Sequence, residues 1–215
     1  LPAGFAFNFF GQPKSTVSLS TNGYITFTSG NTVNGCCSGQ SLRSTGTPND
    51  VIALGWEDWN HTAGTVDYYT NGVAPNRQFV VRVQNVPRFG GTGAPTTAMV
   101  VLYETSNLVD VIITSITTGA SDVTTVGIEN DGGTKGYAPA GKNAASGWSA
   151  SNETWRFSPI IPAAPNFQYT WSPWTYLTST SVPNPQALSA GGVISYTLNV
   201  TNLTNGCSAP PAYIQ

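Results

Sequence analysis

Val51-Ile-Ala-Leu-Gly-Trp-Glu-Asp-Trp-Asn60 opens the stretch that decides the fold. Its apolar run stops at Glu57 and Asp58, a polar turn follows, and Thr65 to Tyr69 resumes in strand-forming residues. Asn71-Gly72 makes a second turn into Gln78-Phe-Val-Val-Arg-Val-Gln-Asn-Val-Pro87. There Phe79, Val81 and Val83 fall on one face and Val80, Arg82 and Gln84 on the other. That period of two predicts a half-buried strand, and the unbroken run before it predicts a fully buried one.

Working outward, Phe5, Phe7 and Phe9 alternate with smaller or polar residues, a strand with one aromatic face. Thr21-Asn22-Gly23 lies between Val17–Leu19 and Tyr24–Phe27, and Asn-Gly between apolar runs signals a hairpin. Downstream, Thr97–Glu104, Leu108–Ile116, Val123–Asn130 and Thr154–Phe157 read as further strands, and no segment has a helical period. Roughly nine or ten short strands with frequent turns predict an all-β, antiparallel, jelly-roll-like β-sandwich over residues 1–158. Pro159, Pro162 and Pro165 stiffen a linker at 159–165. Residues 166–215 then hold two strands, Phe167–Pro173 and Val193–Thr201, which is part of an immunoglobulin-like unit. Such a partial sheet has to pack on the first domain, be completed by another chain, or be a truncated unit.

Charged residues make up 8% of the chain, against roughly 25% in an average soluble domain. Ser, Thr, Asn and Gly solvate the surface instead, a habit of secreted β-rich proteins. A formal net charge of −2 gives nucleic acid and anionic membrane nothing to attract. No apolar run approaches the about 18 residues of a membrane-spanning helix, so membrane insertion is not expected. The absence of a signal peptide, with an opening at Leu1 inside a strand approach, suggests a mature or excised segment. Three cysteines, Cys36, Cys37 and Cys207, cannot all pair within one chain. Cys36 and Cys37 can form a vicinal disulfide, one of them can bridge to Cys207, or the thiols stay reduced.

Candidate chemistry is sparse. Glu57 and Asp58, with Glu129 and Asp131, sit at strand ends and supply the hard oxygen ligands that Ca²⁺ prefers; the competing reading is that they only solvate those ends. His61 has no G-x-S-x-G partner, so nucleophilic catalysis is not expected. Trp148 and Trp174 are candidates for stacking on a sugar ring, against the commoner role of aromatic residues as core. Two loops, Gly30–Asp50 and the Gly-rich Arg88–Pro95, are long enough to carry recognition on a rigid scaffold.

An ordered series of motifs resembles secreted cell-surface adhesins and gliding-motility-associated proteins of the Bacteroidetes type. It comprises Gly4-Phe-Ala-Phe-Asn-Phe-Phe-Gly11, Ser20-Thr-Asn-Gly-Tyr24, the Val51–Asn60 run, Ala74-Pro-Asn-Arg-Gln-Phe-Val-Val81, Val100-Val-Leu-Tyr-Glu-Thr105 and Val126-Gly-Ile-Glu-Asn130. The tail is similar to the second half of the PKD-like repeats of those proteins, in Tyr169-Thr-Trp-Ser-Pro173, Val182-Pro-Asn-Pro185, Ser195–Thr201 and Asn205-Gly-Cys-Ser208. In such repeats the cysteine at 207 pairs within the repeat's first half, which this chain lacks, so the partner of Cys207 is open. The resemblance implies export by the type IX route and no enzymatic activity.

The expectation is therefore a non-enzymatic extracellular module at a bacterial cell surface, adhesive or structural. Its partners would be other domains or copies of the surface protein, glycans or a host surface, and its cofactor at most Ca²⁺. One alternative is a filament subunit joined by inter-chain β-strand complementation. Another is a carbohydrate-binding module.

Overall fold

The computed structural model describes residues 1–28, 38–91, 93–159, 166–188, 193–203 and 206–214. The chain divides into two compact units, Leu1–Pro159 and Ile160–Gln215.

In the first unit, β1 (Asn8–Phe9) and β2 (Gln12–Pro13) form a short hairpin. One five-stranded sheet has the order β11 (Gly136–Tyr137), β10 (Thr125–Glu129), β5 (Val51–Trp56), β4 (Tyr24–Thr26), β3 (Ser18–Leu19). The other runs β12 (Ser149–Phe157), β9 (Val109–Thr117), β8 (Thr96–Tyr103), β7 (Gln78–Val86), β6 (Thr65–Asn71). All pairings are antiparallel, so the expected all-β sandwich is what the chain forms.

The run Val51–Trp56 becomes the middle strand of its sheet, buried at all six positions. Ile52 and Leu54 face the interior with Val126 and Ile128 of β10, while Val51, Ala53 and Trp56 belong to a second apolar cluster with Tyr24 and Leu42. The Tyr24 and Trp56 rings lie 4.5 Å apart in that cluster. Burial on both faces explains the unbroken apolar run, because no position on the strand meets water. Each fully buried aliphatic side chain of this kind contributes about 1.5–3 kcal/mol.

On β7, Phe79, Val81 and Val83 enter the main core, as their alternation predicts, against Ala98, Val100 and Leu102 of β8 and Val109, Val111 and Ile113 of β9. The Asn22-Gly23 turn joins β3 and β4, with Gly23 at φ +81°. A side chain there would collide with the Gly55 carbonyl oxygen, 2.5 Å from the added Cβ. Phe5, Phe7 and Phe9 all reach the core, yet only the last lies in a strand.

The segment before β1 is instead held by Glu104. Both arms of the Arg77 guanidinium bond its carboxylate, and Ala6 N donates to it at 3.3 Å.

The second unit is a three-stranded antiparallel sheet, β13 (Phe167–Ser172), β14 (Tyr196–Asn202) and β15 (Ala212–Ile214). The register places Tyr169 opposite Val200 and Trp171 opposite Leu198, giving an apolar face, with Gln168, Thr170 and Ser172 on the polar one. Trp171 is the buried anchor, donating from its backbone N to Thr180 O and from Nε1 to Val182 O. β15 has no counterpart in the sequence reading: three residues after Pro210-Pro211 are too short for a periodicity to show. The expected linker residues 160–165 lie outside the described residues.

Candidate functional site

The connections at one end of the sandwich converge. They are residues 57–64 after β5, 87–91 and 93–95 after β7, 118–124 after β9 and 142–148 before β12. Asn60 N donates to Pro87 O at 2.7 Å and Phe89 N to Asp58 O at 2.8 Å, which zips the first two together. A single bridge between Trp59 and Arg88 completes that join. The other two are tied by reciprocal bonds between Thr124 and Ala145, 2.8 and 3.1 Å long.

Glu57 stands at the base of this end, fully buried. Its Oε2 accepts from Thr124 Oγ1 at 2.9 Å, while Oε1 has no hydrogen-bond partner among the described residues. Burial pushes the Glu57 carboxyl above its usual range, opposed by the Thr124 hydroxyl, by the charge of Arg88 and by the Trp59 indole. The indole acts only at a distance, since its Nε1 closes no hydrogen bond of ordinary geometry. Arg88 in turn pairs with Asp122. Gly119 makes room for that guanidinium, since an added Cβ would overlap Arg88 Nη1.

The tip of the end carries Phe89, 65% exposed although its backbone is fixed. A ring carried on a backbone held in this way spares a partner the cost of ordering the chain beneath it. Trp148 is different. Its Nε1 donates to Ala145 O, its backbone is bonded to Thr118 in both directions, and Lys142 Nζ caps the ring at 3.9 Å from the centroid. It packs on the core and offers no open shelf for a sugar.

The four acids expected as a Ca²⁺ set are not brought together. β5 and β10 are antiparallel, with Thr125 opposite Trp56 and Glu129 opposite Val51. Glu57 and Glu129 therefore mark opposite ends of one strand pair, roughly 15–20 Å apart at the strand rise. Asp58 stays with Glu57, half-buried, and Asp131 stays with Glu129, exposed.

Glu129 is buried and accepts the backbone N–H groups of Arg43 and Ser44, anchoring the loop that ends at Asp50. Burial raises its carboxyl, against those two N–H bonds. Among the described residues no three His, Cys, Asp or Glu side chains gather as a metal site.

Among the described residues, six ion pairs occupy Lys14, Arg77, Arg82, Arg88, Lys142 and Arg156 with Asp50, Glu104, Asp67, Asp122, Glu153 and Asp110. Of the eight basic and ten acidic residues in the chain, six of each are paired in this way. Little is left to steer a charged partner.

The Gly30–Asp50 loop is described only from residue 38, so Cys36 and Cys37 lie outside the described residues. In the second unit Cys207 and Trp174 are exposed, the latter at 77%. A groove of about 350 Å³ runs beside Trp171, lined also by Leu177, Pro183, Pro185 and Tyr196. No described helix is long and apolar enough to cross a membrane.

A two-sheet antiparallel sandwich with its loops zipped together at one end defines a β-sandwich module. The chain belongs to the NIDO-related family, which it matches over residues 1–173. That span takes in the first unit and the first strand of the second. Membership points to an extracellular module. No curated protein and no solved structure gives a significant match.

Proposed function

We propose that the chain is a non-enzymatic module of a large bacterial surface protein of the Bacteroidetes adhesin type, exported by the type IX route. It holds neighbouring domains in place and presents the 57–64 and 87–91 connections to a partner, a glycan or a protein on another surface. The observation that carries this reading is Phe89, exposed on a backbone held by its N–H bond to Asp58 O. The paired charges favour a neutral partner over a nucleic acid or an anionic membrane. Binding of the labelled chain to immobilised glycans, matrix proteins and intact cells tests it. Saturable binding without turnover of the bound material is the expected result; hydrolysis of a ligand, or no binding to any surface, counts against it.

A second reading is supported by the second unit. Its sheet has β15 as an edge strand, with all three residues exposed, and an edge of that kind suits pairing with a strand from another copy. Light scattering over a concentration series separates the two readings. Polymers that disappear when residues 166–215 are deleted support a filament subunit, and a concentration-independent monomer supports the adhesive module.

A further inference from the structure

Lys14 Nζ lies 2.5 Å from Asp50 Oδ2, and the two side chains are 12% and 4% exposed. Of the six ion pairs this is the most enclosed that involves a lysine. The similarly enclosed Arg77–Glu104 pair has a guanidinium, which does not acylate under these conditions. Lys142–Glu153 is longer, at 3.3 Å, and its acid is 27% exposed.

Both partners of the Lys14–Asp50 pair are fixed through their backbones. Lys14 N donates to Phe7 O at 2.9 Å, Asp50 N to Asn130 O at 3.1 Å, and Phe27 N to Asp50 O at 3.0 Å. The Phe27 ring, itself buried, walls the amine at 5.7 Å from its centroid. Asp50 Oδ1 has no hydrogen-bond partner among the described residues.

We propose that Lys14 and Asp50 are a modification site, joined by a spontaneous intramolecular isopeptide bond between Nζ and Cγ. The enclosure favours the step. Two opposite charges withdrawn from water can discharge each other by moving one proton from the ammonium to the carboxylate, which leaves a neutral amine beside a neutral acid. Burial pushes the Asp50 carboxyl upward and the Asp131 charge adds to it, both against the pull of Lys14.

The amine lone pair then attacks Cγ, forming the N–C bond. An amine proton passes to the departing hydroxyl, the C–O bond breaks and one water leaves. The charges of the pair cancel before and after, and no oxidant, reductant or co-reactant enters. Fixed at contact distance, the two groups have an effective molarity on the order of 10⁵–10⁸ M for a well-aligned pair, far above that of free amine and acid.

The bond would tie the residue after β2 to the residue before β5. It would close a loop through the hairpin β3–β4 and the segment that follows. Such a link lowers the entropy of the unfolded chain as a disulfide does, and no reductant opens it. For a domain pulled at a cell surface it would lock the N-terminal hairpin to the central strand. The inference does not depend on the proposed adhesive role.

Intact-mass spectrometry of the full chain, denatured and reduced, tests it. The expected mass is lower than the sequence mass by one water, with the Lys14 and Asp50 peptides recovered joined after digestion. Lys14→Arg keeps an ion pair but should show its full sequence mass, as should Asp50→Ala. Asp50→Asn should form the same amide and lose one ammonia instead. A wild-type chain at full sequence mass overturns the proposal. So does a deficit that maps to a succinimide at Asp131-Gly132.

Discussion

Glu104 takes the Arg77 guanidinium on both carboxylate oxygens, Nη2 to Oε1 at 2.6 Å and Nε to Oε2 at 2.9 Å, while Arg77 Nη1 reaches Ala3 O at 3.1 Å. One buried acid on the turn after β8 thus fixes both the start of β7 and the chain segment that brings Phe5 and Phe7 into the core. The bidentate geometry gives the pair direction as well as charge.

The Arg77 side chain holds the Glu104 carboxyl down at about 2, below its ordinary 4.5. A depressed acid stabilises the fold above its unfolded value and loses that contribution as pH falls through its folded one. Glu104→Gln should therefore melt several degrees below wild type at neutral pH. The gap should narrow steadily between about pH 4.5 and pH 2, by the same linkage. Thermal melts across that range check it, and a constant gap would contradict it.

Glu57 has the opposite sign. Burial raises its carboxyl, so its ionised form opposes folding, and stability declines as pH rises from the unfolded value towards the folded one. Glu57→Gln keeps an oxygen for the Thr124 hydroxyl and removes the buried charge. The variant should be more stable at neutral pH by about 1 kcal/mol, read in denaturant titrations. A loss of stability at neutral pH would instead mean that the charge is held by a partner group.

Two glycines separate backbone collisions from side-chain ones. Gly23 is at φ +81°, and an added Cβ would meet the Gly55 carbonyl oxygen, on the central strand, at 2.5 Å. Gly23→Ala should cost more than about 3 kcal/mol, since neither strain nor overlap can relax. At Gly119 the obstacle is the far end of Arg88, which can swing away at the expense of a half-exposed ion pair. Gly119→Ala should cost below about 1 kcal/mol while displacing the 88–91 turn. Equal losses in the two variants would contradict the distinction.

The sandwich was legible because β5 and β7 carry their burial in their letters. An unbroken apolar run means two covered faces, and strict alternation means one. The Asn22-Gly23 turn declares itself for the same local reason. The candidate site was much less legible. Glu57 reads as a solvated strand end, yet it is fully buried and bonded by Thr124, 67 positions away in sequence.

Glu57 and Glu129 look like two parts of one cation site until the antiparallel register of β5 and β10 sends them to opposite ends. Trp148 offers a ring for stacking, but Lys142 and Ala145 already occupy it. Lys14 and Asp50 lie 36 positions apart, and nothing local to either announces the other. What local pattern cannot carry is which distant side chain closes over a polar group.

The loop end as a binding surface rests on Phe89 more than on any other residue. Phe89→Ser touches no packed neighbour of the core and should leave stability within about 0.5 kcal/mol. If the ring is the anchor, its loss should cost at least about 2 kcal/mol of binding, roughly a thirtyfold rise in half-saturation. The decisive measurement is binding of wild type and Phe89→Ser, side by side, to the surface that captures the wild-type chain. A large loss of binding at unchanged melting temperature is the predicted result. Equal binding by the two proteins would show that the partner docks elsewhere and that this end of the sandwich is only a cap.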